Sequence, residues 1–559
     1  MIRIDKKIST SIAACALCVI AFLANNGIIL PDIMESRNIV TAREMVYDGN
    51  WIIPTMNGEL RLEKPPLPTW IAAVAEIISP DNIVAQRTAA ALAALLLVLY
   101  FWKFAKKVLK IDPVVPTLLL CTCYNLILMG RTASWDIFTH AFMMGGIYHL
   151  AIALAAGMSN PSNRHKCPWG QFIAAGVYIG LSLMSKGPVS LYALFLPFII
   201  SAILFLRPKA RGKGLGIAVL ALLAIVIGSW WYIYVHHACA DALSTVVQKE
   251  SGSWMSHNIR PWWYYWKFFL ETGVWSLLLL TAIFLPMFNL HRRSNWQWLF
   301  AMAWMLFSLV LLSLLPEKKP RYLLPLLIPA AYVMACLIEW WRTSLNAPNA
   351  NKSDKICFRV NSWLIAIVIL ALPIVAWAML YKPGYITAIP LIAIAVVSVA
   401  IAAYIAVGTV KLKPVRMLWG VSLLFAVSEL FFLPCLNSII NNPDIHSINL
   451  TRDIKELDGI PFYHDCDSTL RIELVYAANR KILPLNIHSA DSVATKLPCA
   501  ILTKTGAGQT LPQEVTAIAD TTYIGLFDDN HRPRGNRRYS SSFVYHITLL
   551  TPKETGQKP

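Results

Sequence analysis

Long apolar runs broken by short polar words fill the chain up to about residue 434, and the pattern changes character beyond it. Thirteen stretches approach the ~20 apolar residues that cross a bilayer. They are 9–30, 84–103, 113–130, 136–157, 169–185, 188–206, 214–237, 267–289, 296–315, 321–341, 361–381, 385–407 and 416–434. The last 120 residues are too polar to cross and alternate short apolar runs with amphipathic ones. Their periodicity predicts helices over Ile448–Leu457, Leu470–Ala478 and Asp491–Leu497. Strands are predicted at Ile460–Tyr463, Ile482–Leu485, Ala500–Lys504, Tyr523–Phe527 and Phe543–Leu550. Strands that alternate with helices favour a small α/β layer fold. The expected fold class is therefore a polytopic α-helical membrane protein of about 13 spans (residues 1–439) with a small C-terminal α/β soluble domain (440–559).

Composition agrees, with 57% hydrophobic residues and a mean hydropathy of +0.54. The first span follows Arg3, Lys6 and Lys7, as a signal peptide's basic region would. No small-residue cleavage site follows Ile20, since Asn25, Asn26 and Ile28 come next, so it is read as a retained anchor. The net charge of +18 is a topology signal rather than a nucleic-acid signal. The N-terminus and the even-numbered connections hold about 22 Lys and Arg against four acids, Asp5, Asp112, Glu339 and Asp354. Lys103, Lys106, Lys107, Lys110, Arg207, Lys209, Arg211, Lys213, Arg292, Arg293, Lys411, Lys413 and Arg416 are among these cations. The odd-numbered connections and the tail are nearly balanced. The Lys/Arg excess assigns the first face to the cytoplasm and places the first loop and the tail outside.

The 11 cysteines form no framework, and Cys466 with Cys499 is the only pair in the tail that could bridge. The chain contains no CxxC pair of pairs, HExxH, Walker loop or GxGxxG, which removes the usual support for nucleotide-driven pumping and zinc hydrolysis. What remains is polar chemistry on the outer face. Residues 32–70 carry Asp32, Glu35, Arg37, Arg43, Glu44, Asp48, Glu59, Arg61, Glu63 and Lys64 between two apolar spans. Further outward connections hold GRTASWDIFTH with Arg131 and Asp136, MSKGP with Lys186, and LLPEKKPRYLLP with Lys318, Lys319, Arg321 and Tyr322. A fourth, QKESGSWMSHNIRPWWYYW, holds Lys249, Glu250, His257, Arg260 and a run of aromatics. Singly, each has a plain reading: a solvated loop, a snorkelling lysine, or an interfacial belt of Trp262, Trp263, Tyr264, Tyr265 and Trp266. Together they put ionisable groups close to the apolar boundary on one face, which is where substrate paths lie.

The words ESRNIVTAREM, GNWIIP and NGELRLEKPPL followed by Trp70, then RTASWD, SKGP and KKPRYLLP in order, resemble the polyprenyl-phosphate-sugar glycosyltransferases of the C-type superfamily over about the first 330 residues. That family includes the lipid A aminoarabinose transferase and, more distantly, the protein O-mannosyltransferases. The resemblance implies an integral-membrane enzyme of the bacterial inner membrane, with a cytoplasmic N-terminus and a periplasmic active site and C-terminal domain. It would move a sugar from a polyprenyl-phosphate donor to an acceptor such as lipid A or a protein hydroxyl; the alternative is a transporter or flippase of lipid-linked sugars. Its partners would be that donor, a lipid or protein acceptor and membrane lipids, with no nucleic acid. The catalytic external loops would be 31–83, 131–136, 186–187, 238–266 and 316–321.

By motif, Lys64, Arg37, Arg260, Lys186, Lys318 and Tyr322 would hold the donor phosphate, because cations stabilise charge on a phosphate leaving group. Glu35, Glu63, Asp136 and Asp32 would be the catalytic carboxylates, since an acceptor hydroxyl needs a general base. No cofactor is implied, and a divalent ion held by Glu63 and Asp136 is left open. The pattern departs at two points. The usual Asp-Glu pair before Arg37 is Met34-Glu35 here, and Arg61 replaces the aromatic before the EKPP glutamate. These changes leave the acceptor and the base open and the donor side intact.

Overall fold

A computed structural model describes residues 6–155, 167–208, 210–256, 258–288, 295–348, 350–437, 442, 445–506 and 510–553. Arg3, Lys209, His257, Arg292, Arg293 and the expected domain boundary at 439/440 lie outside the described residues. The chain divides into two compact units. One comprises Met1–Asn26, Leu62–Pro68 and Arg87–Cys435; the other comprises Gly27–Arg61, Thr69–Gln86 and Leu436–Pro559. The connection 31–83 is thus divided between the two units.

In chain order the helices begin with α1 (Lys6–Leu23), α2 (Ile33–Tyr47), α3 (Leu67–Ile78) and α4 (Ile83–Leu109). Next come α5 (Val114–Cys121), α6 (Tyr124–Gly130), α7 (Trp135–Ala155), α8 (Trp169–Lys186) and α9 (Leu191–Leu206). They continue as α10 (Gly214–Ala238), α11 (Ala240–Ser256), α12 (Trp262–Phe284), α13 (Trp296–Leu314) and α14 (Pro320–Ser344). The series in the helical unit ends with α15 (Lys352–Tyr381), α16 (Ala388–Val410) and α17 (Pro414–Phe432). Among the described residues nine of these, α4, α7, α10 and α12–α17, are long and apolar enough to cross a membrane. The chain is a multi-pass membrane protein. Among the described residues each expected span overlaps helix; 267–289 is kinked at Gly273 (φ +66°, ψ −121°) inside α12, and 113–130 splits into α5 and α6. The break is held by Thr122, whose hydroxyl donates to the Leu118 carbonyl at 2.6 Å and accepts the Trp275 indole N–H at 2.7 Å. A hydroxyl that competes for backbone carbonyls interrupts a helix, and Cys123 is extended (φ −76°, ψ 130°). The pattern did not predict α2, α3 or α11, which lie in the connections.

Helices α8 and α10 approach closely because glycines face the contact. A Cβ on Gly176 would meet the Leu220 carbonyl at 2.7 Å, and one on Gly180 would meet Ile227 at 2.6 Å. Small residues four apart let backbones pack in a membrane without a hydrophobic driving force.

In the second unit, Asp32 starts α2. Its carboxylate accepts the Met34 and Glu35 amides at 2.8 and 2.9 Å, and Glu35 returns to the Asp32 amide at 3.3 Å. This is a complete capping box. One turn from the middle of α2, Glu44 accepts Thr55 Oγ1 and the Asn57 amide, both at 2.5 Å, and the Gly58 amide at 3.2 Å. It thereby fixes the hairpin of β1 (Thr55–Met56) and β2 (Glu59–Leu60), whose Asn57-Gly58 turn has positive φ at both residues. Arg43, 6% exposed, pairs with Asp81 and with Glu76 at 3.7 Å, and donates to the Tyr476 carbonyl at 2.9 Å. Arg452 reaches the same Asp81. Buried charges persist where they are paired and hydrogen-bonded, and this set ties α2 and the end of α3 to the tail.

The tail forms β3 (Phe462–Asp465), α18 (Ile472–Ala478), β4 (Ile482–Leu485), α19 (Ala490–Ala494), β5 (Cys499–Thr503), α20 (Gln513–Ile518), β6 (Ala519–Asp528) and β7 (Val544–Pro552). The strand order is β4-β3-β5-β7-β6, parallel at β4-β3-β5 and antiparallel beyond. All five predicted strands are present. The expected helix at 448–457 is instead a pair of 3-10 turns, and α20 was not foreseen. Cys466 is exposed, Cys499 is buried, and both are free thiols, so no bridge forms.

Asp529 anchors the segment before β3, accepting the Ser447 hydroxyl and the Ile448 amide, the latter at 3.0 Å. Burial, only partly offset by those bonds, pushes its carboxyl up to about 6. The native state then binds more protons than the unfolded chain between pH ~4 and ~6, so stability falls as pH rises through that window and is level above it. Hydrogen exchange of the Ile448 amide, corrected for intrinsic rate, should show protection decreasing over this interval, and Asp529→Asn should flatten the dependence.

Candidate functional site

In the helical unit, α7 begins with an acid in its first turn, Asp136, and α8 ends on Lys186. Gly187, at φ +69°, reverses the chain after α8 in a conformation that side chains disfavour. Packed side by side, α7 and α8 bring these two ends together, and Lys186 Nζ bonds Asp136 Oδ1. Asp136 is 1% exposed and Lys186 9%. One turn further in, Thr139, Ser182 and Ser190 share hydroxyl bonds, with Ser182 to Ser190 at 2.6 Å and Thr139 to the Ser182 carbonyl at 3.0 Å. The Lys186 ammonium also stands 5.2 Å from the centre of the Tyr322 ring, a cation–π contact.

Tyr322 belongs to a second arm, the turn from α13 into α14. That turn pairs with the segment before α12 through an antiparallel bridge, Ile259 to Glu317. The Lys318 amide donates to the Asn258 carbonyl at 3.2 Å, and the Arg260 amide donates to the Pro316 carbonyl at 3.3 Å. Tyr265, 1% exposed, accepts the Lys319 amide at 2.9 Å and donates to the Lys319 carbonyl at 3.1 Å. Lys319 Nζ pairs with Glu317 at 2.5 Å and lies 5.9 Å from the Tyr322 ring. Lys64 pairs with Glu250 of α11 at 3.4 Å. The charges of Lys64 and Arg321 both act on Lys186, and those of Asp136, Glu250, Glu317 and Arg321 act on Tyr322. Against this polar group lies a cavity of about 350 Å³. Its walls are Pro188, Val189, Tyr192, Ala193, Leu312, Leu315 and Pro316, with Glu317 and Tyr322 at one part of the lining.

The expected residues fall into three groups. Lys64, Lys186, Asp136 and Tyr322 share the electrostatic cluster just described. Glu63 is half-buried, with Oε2 shielded and unpartnered, as is Asp136 Oδ2. Lys318 was expected on the donor phosphate, but its ammonium donates to the carbonyls of Arg260 (3.2 Å) and Leu315, and desolvation lowers its pKa. Arg260 is exposed and meets the turn through its backbone. Asp32, Glu35 and Arg37 belong to the other unit, the first two as the capping box and Arg37 with a buried, unpartnered Nε. Arg61, also there, lays Nη1 3.2 Å from Met56 Sδ. The expected set omitted Glu250, Glu317, Lys319, Arg321 and Tyr265. The alternation PEKKPRY signals the middle three, whereas Tyr265 cannot be told in sequence from its neighbours in the aromatic run.

The buried pair yields a direct test. Asp136→Asn strands the Lys186 charge and should cost ~3–5 kcal/mol. Asp136→Leu combined with Lys186→Met removes both charges and should recover most of that loss. Thermal denaturation in detergent checks this, and an Asp136→Asn protein that melts with wild type would contradict it.

Three comparisons bear on this arrangement. Residues 63–232 match the family model described as dolichyl-phosphate-mannose-protein mannosyltransferase. Among curated proteins, the chain is 26% identical over 327 residues to undecaprenyl phosphate-alpha-4-amino-4-deoxy-L-arabinose arabinosyl transferase 1 of Pseudomonas fluorescens, covering 57% of this chain and 55% of the relative. It is 27% identical over 340 residues to the enzyme of that name in Pseudomonas savastanoi pv. phaseolicola, covering 59% of this chain and 60% of the relative. The matched stretch thus spans less than two thirds of the length of these relatives. In fold, the chain is similar to ArnT from Cupriavidus metallidurans solved with undecaprenyl phosphate, at a TM-score of 0.64 and 16% identity over 97% of both chains. The resemblance to polyprenyl-phosphate-sugar glycosyltransferases carried by the loop words is met again in a family model over residues 63–232 and in curated sequences.

Proposed function

We propose that this protein is an integral-membrane glycosyltransferase that takes a sugar from a polyprenyl-phosphate donor and passes it to an extracytoplasmic acceptor such as lipid A. The observation that carries the reading is the adjacency of a cation-rich polar cluster and an apolar cavity within one helical unit. A polyprenyl phosphate has that polarity, a dianionic head on a hydrocarbon chain. The names of the sequence relatives favour undecaprenyl phosphate and 4-amino-4-deoxy-L-arabinose as the donor's two parts.

In this reading Lys64, Lys186 and Lys319 face the phosphate, and Tyr322 stands among them with its ring against two ammonium groups. Their ion pairs with Glu250, Asp136 and Glu317 keep the lysines extended in the absence of substrate. As the glycosidic C–O bond breaks, the phosphate keeps the electron pair, and fixed cations stabilise it more in the transition state than before. The acceptor oxygen attacks the sugar carbon and loses its proton to a carboxylate, a role assigned to Glu63, whose Oε2 is shielded and unpartnered. The same feature fits Glu63 and Asp136 to hold a divalent ion, whose chemistry would be charge neutralisation at the acceptor or phosphate oxygens. Asp32 and Glu35 are committed to the start of α2.

Turnover in detergent with a short-chain polyprenyl-phosphate sugar tests the activity. Polyprenyl phosphate should be released only when acceptor is present, whereas equilibration of label across liposomes without transfer would make the protein a transporter. Lys64→Met should weaken donor binding and slow transfer by roughly 30- to 150-fold, the equivalent of ~2–3 kcal/mol for a charge-assisted contact. Glu63→Gln should leave donor binding largely intact while transfer falls. Wild-type rates in both variants at matched membrane abundance would remove these residues from the site.

The location proposed is the bacterial inner membrane, with the N-terminus cytoplasmic and the cluster and tail periplasmic. Reporters for a membrane-impermeant label, placed after Lys213 and after Arg293, should be protected in intact cells, and one near Gly506 should react. Labelling at 213 would reverse the orientation.

A further inference from the structure

A second cavity of the helical unit, about 460 Å³, lies where the ends of α4, α7 and α9 meet the start of α13. All four termini belong to the face with the Lys/Arg excess. Phe198, Phe205 and Leu206 of α9 give it an apolar wall, Trp296 stands at the first residue of α13, and Lys107 and Lys110 complete the lining. Tryptophan at a helix terminus marks the headgroup level of a bilayer. The Lys107 and Lys110 side chains are exposed and make no hydrogen bond or ion pair among the described residues, in contrast to Lys213, whose ammonium caps the α7 carbonyls of Ala153 and Leu154 at 2.8 and 3.0 Å. A hydrocarbon-lined recess, an interfacial indole and two uncommitted ammonium groups complement one molecule: a lipid with an anionic head.

We propose that this cavity is a binding site for an anionic phospholipid of the lysine-rich leaflet, with its phosphate against Lys107 and Lys110 and an acyl chain along the α9 wall. Basic pockets between membrane helices hold acidic lipid headgroups by this combination of charge and depth, and each lysine keeps its stem on apolar surface while its head meets the phosphate. The site is separate from the sugar-transfer cluster in residues and in ligand, and it depends only on the protein being embedded in a bilayer.

Native mass spectrometry of the purified full chain, titrated with phosphatidylglycerol or with phosphatidylcholine of the same acyl chains, tests it. One phosphatidylglycerol should be retained saturably and phosphatidylcholine should not. Lys107→Ser with Lys110→Ser should weaken that binding about tenfold or more, and Lys107→Arg with Lys110→Arg should preserve it. Lys411→Ser with Lys413→Ser, on the same charged face but outside the cavity, should leave it unchanged. Equal weakening by both serine pairs, or phosphatidylcholine binding as tight as phosphatidylglycerol, overturns the proposal. Since no transfer is measured, the outcome is independent of the glycosyltransferase reading.

Discussion

The Lys186 side chain is buried at the end of α8, and its ion pair with Asp136 is what makes that charge tolerable there. Neither charge could stay buried alone, so the pair fixes how far the first turn of α7 may stand from the last turn of α8. The hydroxyl set of Thr139, Ser182 and Ser190 just inside it extends the same demand inward, since each hydroxyl there needs its neighbour as partner. The aromatic face of Tyr322 then meets the same ammonium, 5.2 Å from the ring centre. A cluster of this kind is set by charge satisfaction, and its geometry is held before any ligand arrives.

Adjacent lysines in the α13–α14 turn divide two tasks. Lys318 is consumed by carbonyls of its own turn and of the segment before α12, which makes it a strut. Lys319, rotated to the other side by the extended backbone between them, pairs with Glu317 beside Tyr322. Tyr265 grips the Lys319 peptide at both its N–H and its C=O, so the residue that presents the charge is immobilised from behind. The second unit has its own equivalent in Glu44, which closes the β-hairpin turn through neutral donors rather than a cation.

The long apolar runs made the presence of the membrane helices legible, because a span is defined by one property summed over many positions, while their ends moved by up to nine residues, as at Lys352 of α15. Helices α2, α3 and α11 were hidden for the opposite reason. In α2, Arg43 is buried by partners far along the chain and Glu44 by the hairpin that follows, so polar residues stand at buried positions and blur the apolar stripe. The break at Thr122 was invisible because it depends on Trp275. Among the site residues, EKPP and SKGP pointed to Lys64 and Lys186, which meet in one electrostatic cluster. Sequence gave no means of telling Lys318 from Lys319, because which of two neighbouring side chains faces a site is decided by the strand-like bridge at Glu317. Asp32 and Glu35 had the spacing of a capping box as well as the residue types of a catalytic pair, and the first of these is what the helix uses.

The bridge of Ile259 to Glu317 has a further consequence for traffic through the helical unit. Two connections that belong to different helix pairs are sewn together by main-chain bonds, so neither can lift alone. The apolar cavity beside them is walled by the start of α9 and the end of α13. On the proposed reading the guest of this cavity is itself a lipid of the bilayer. Occupancy then answers to mole fraction among lipids, a two-dimensional density, and dilution of the surrounding aqueous phase leaves it untouched.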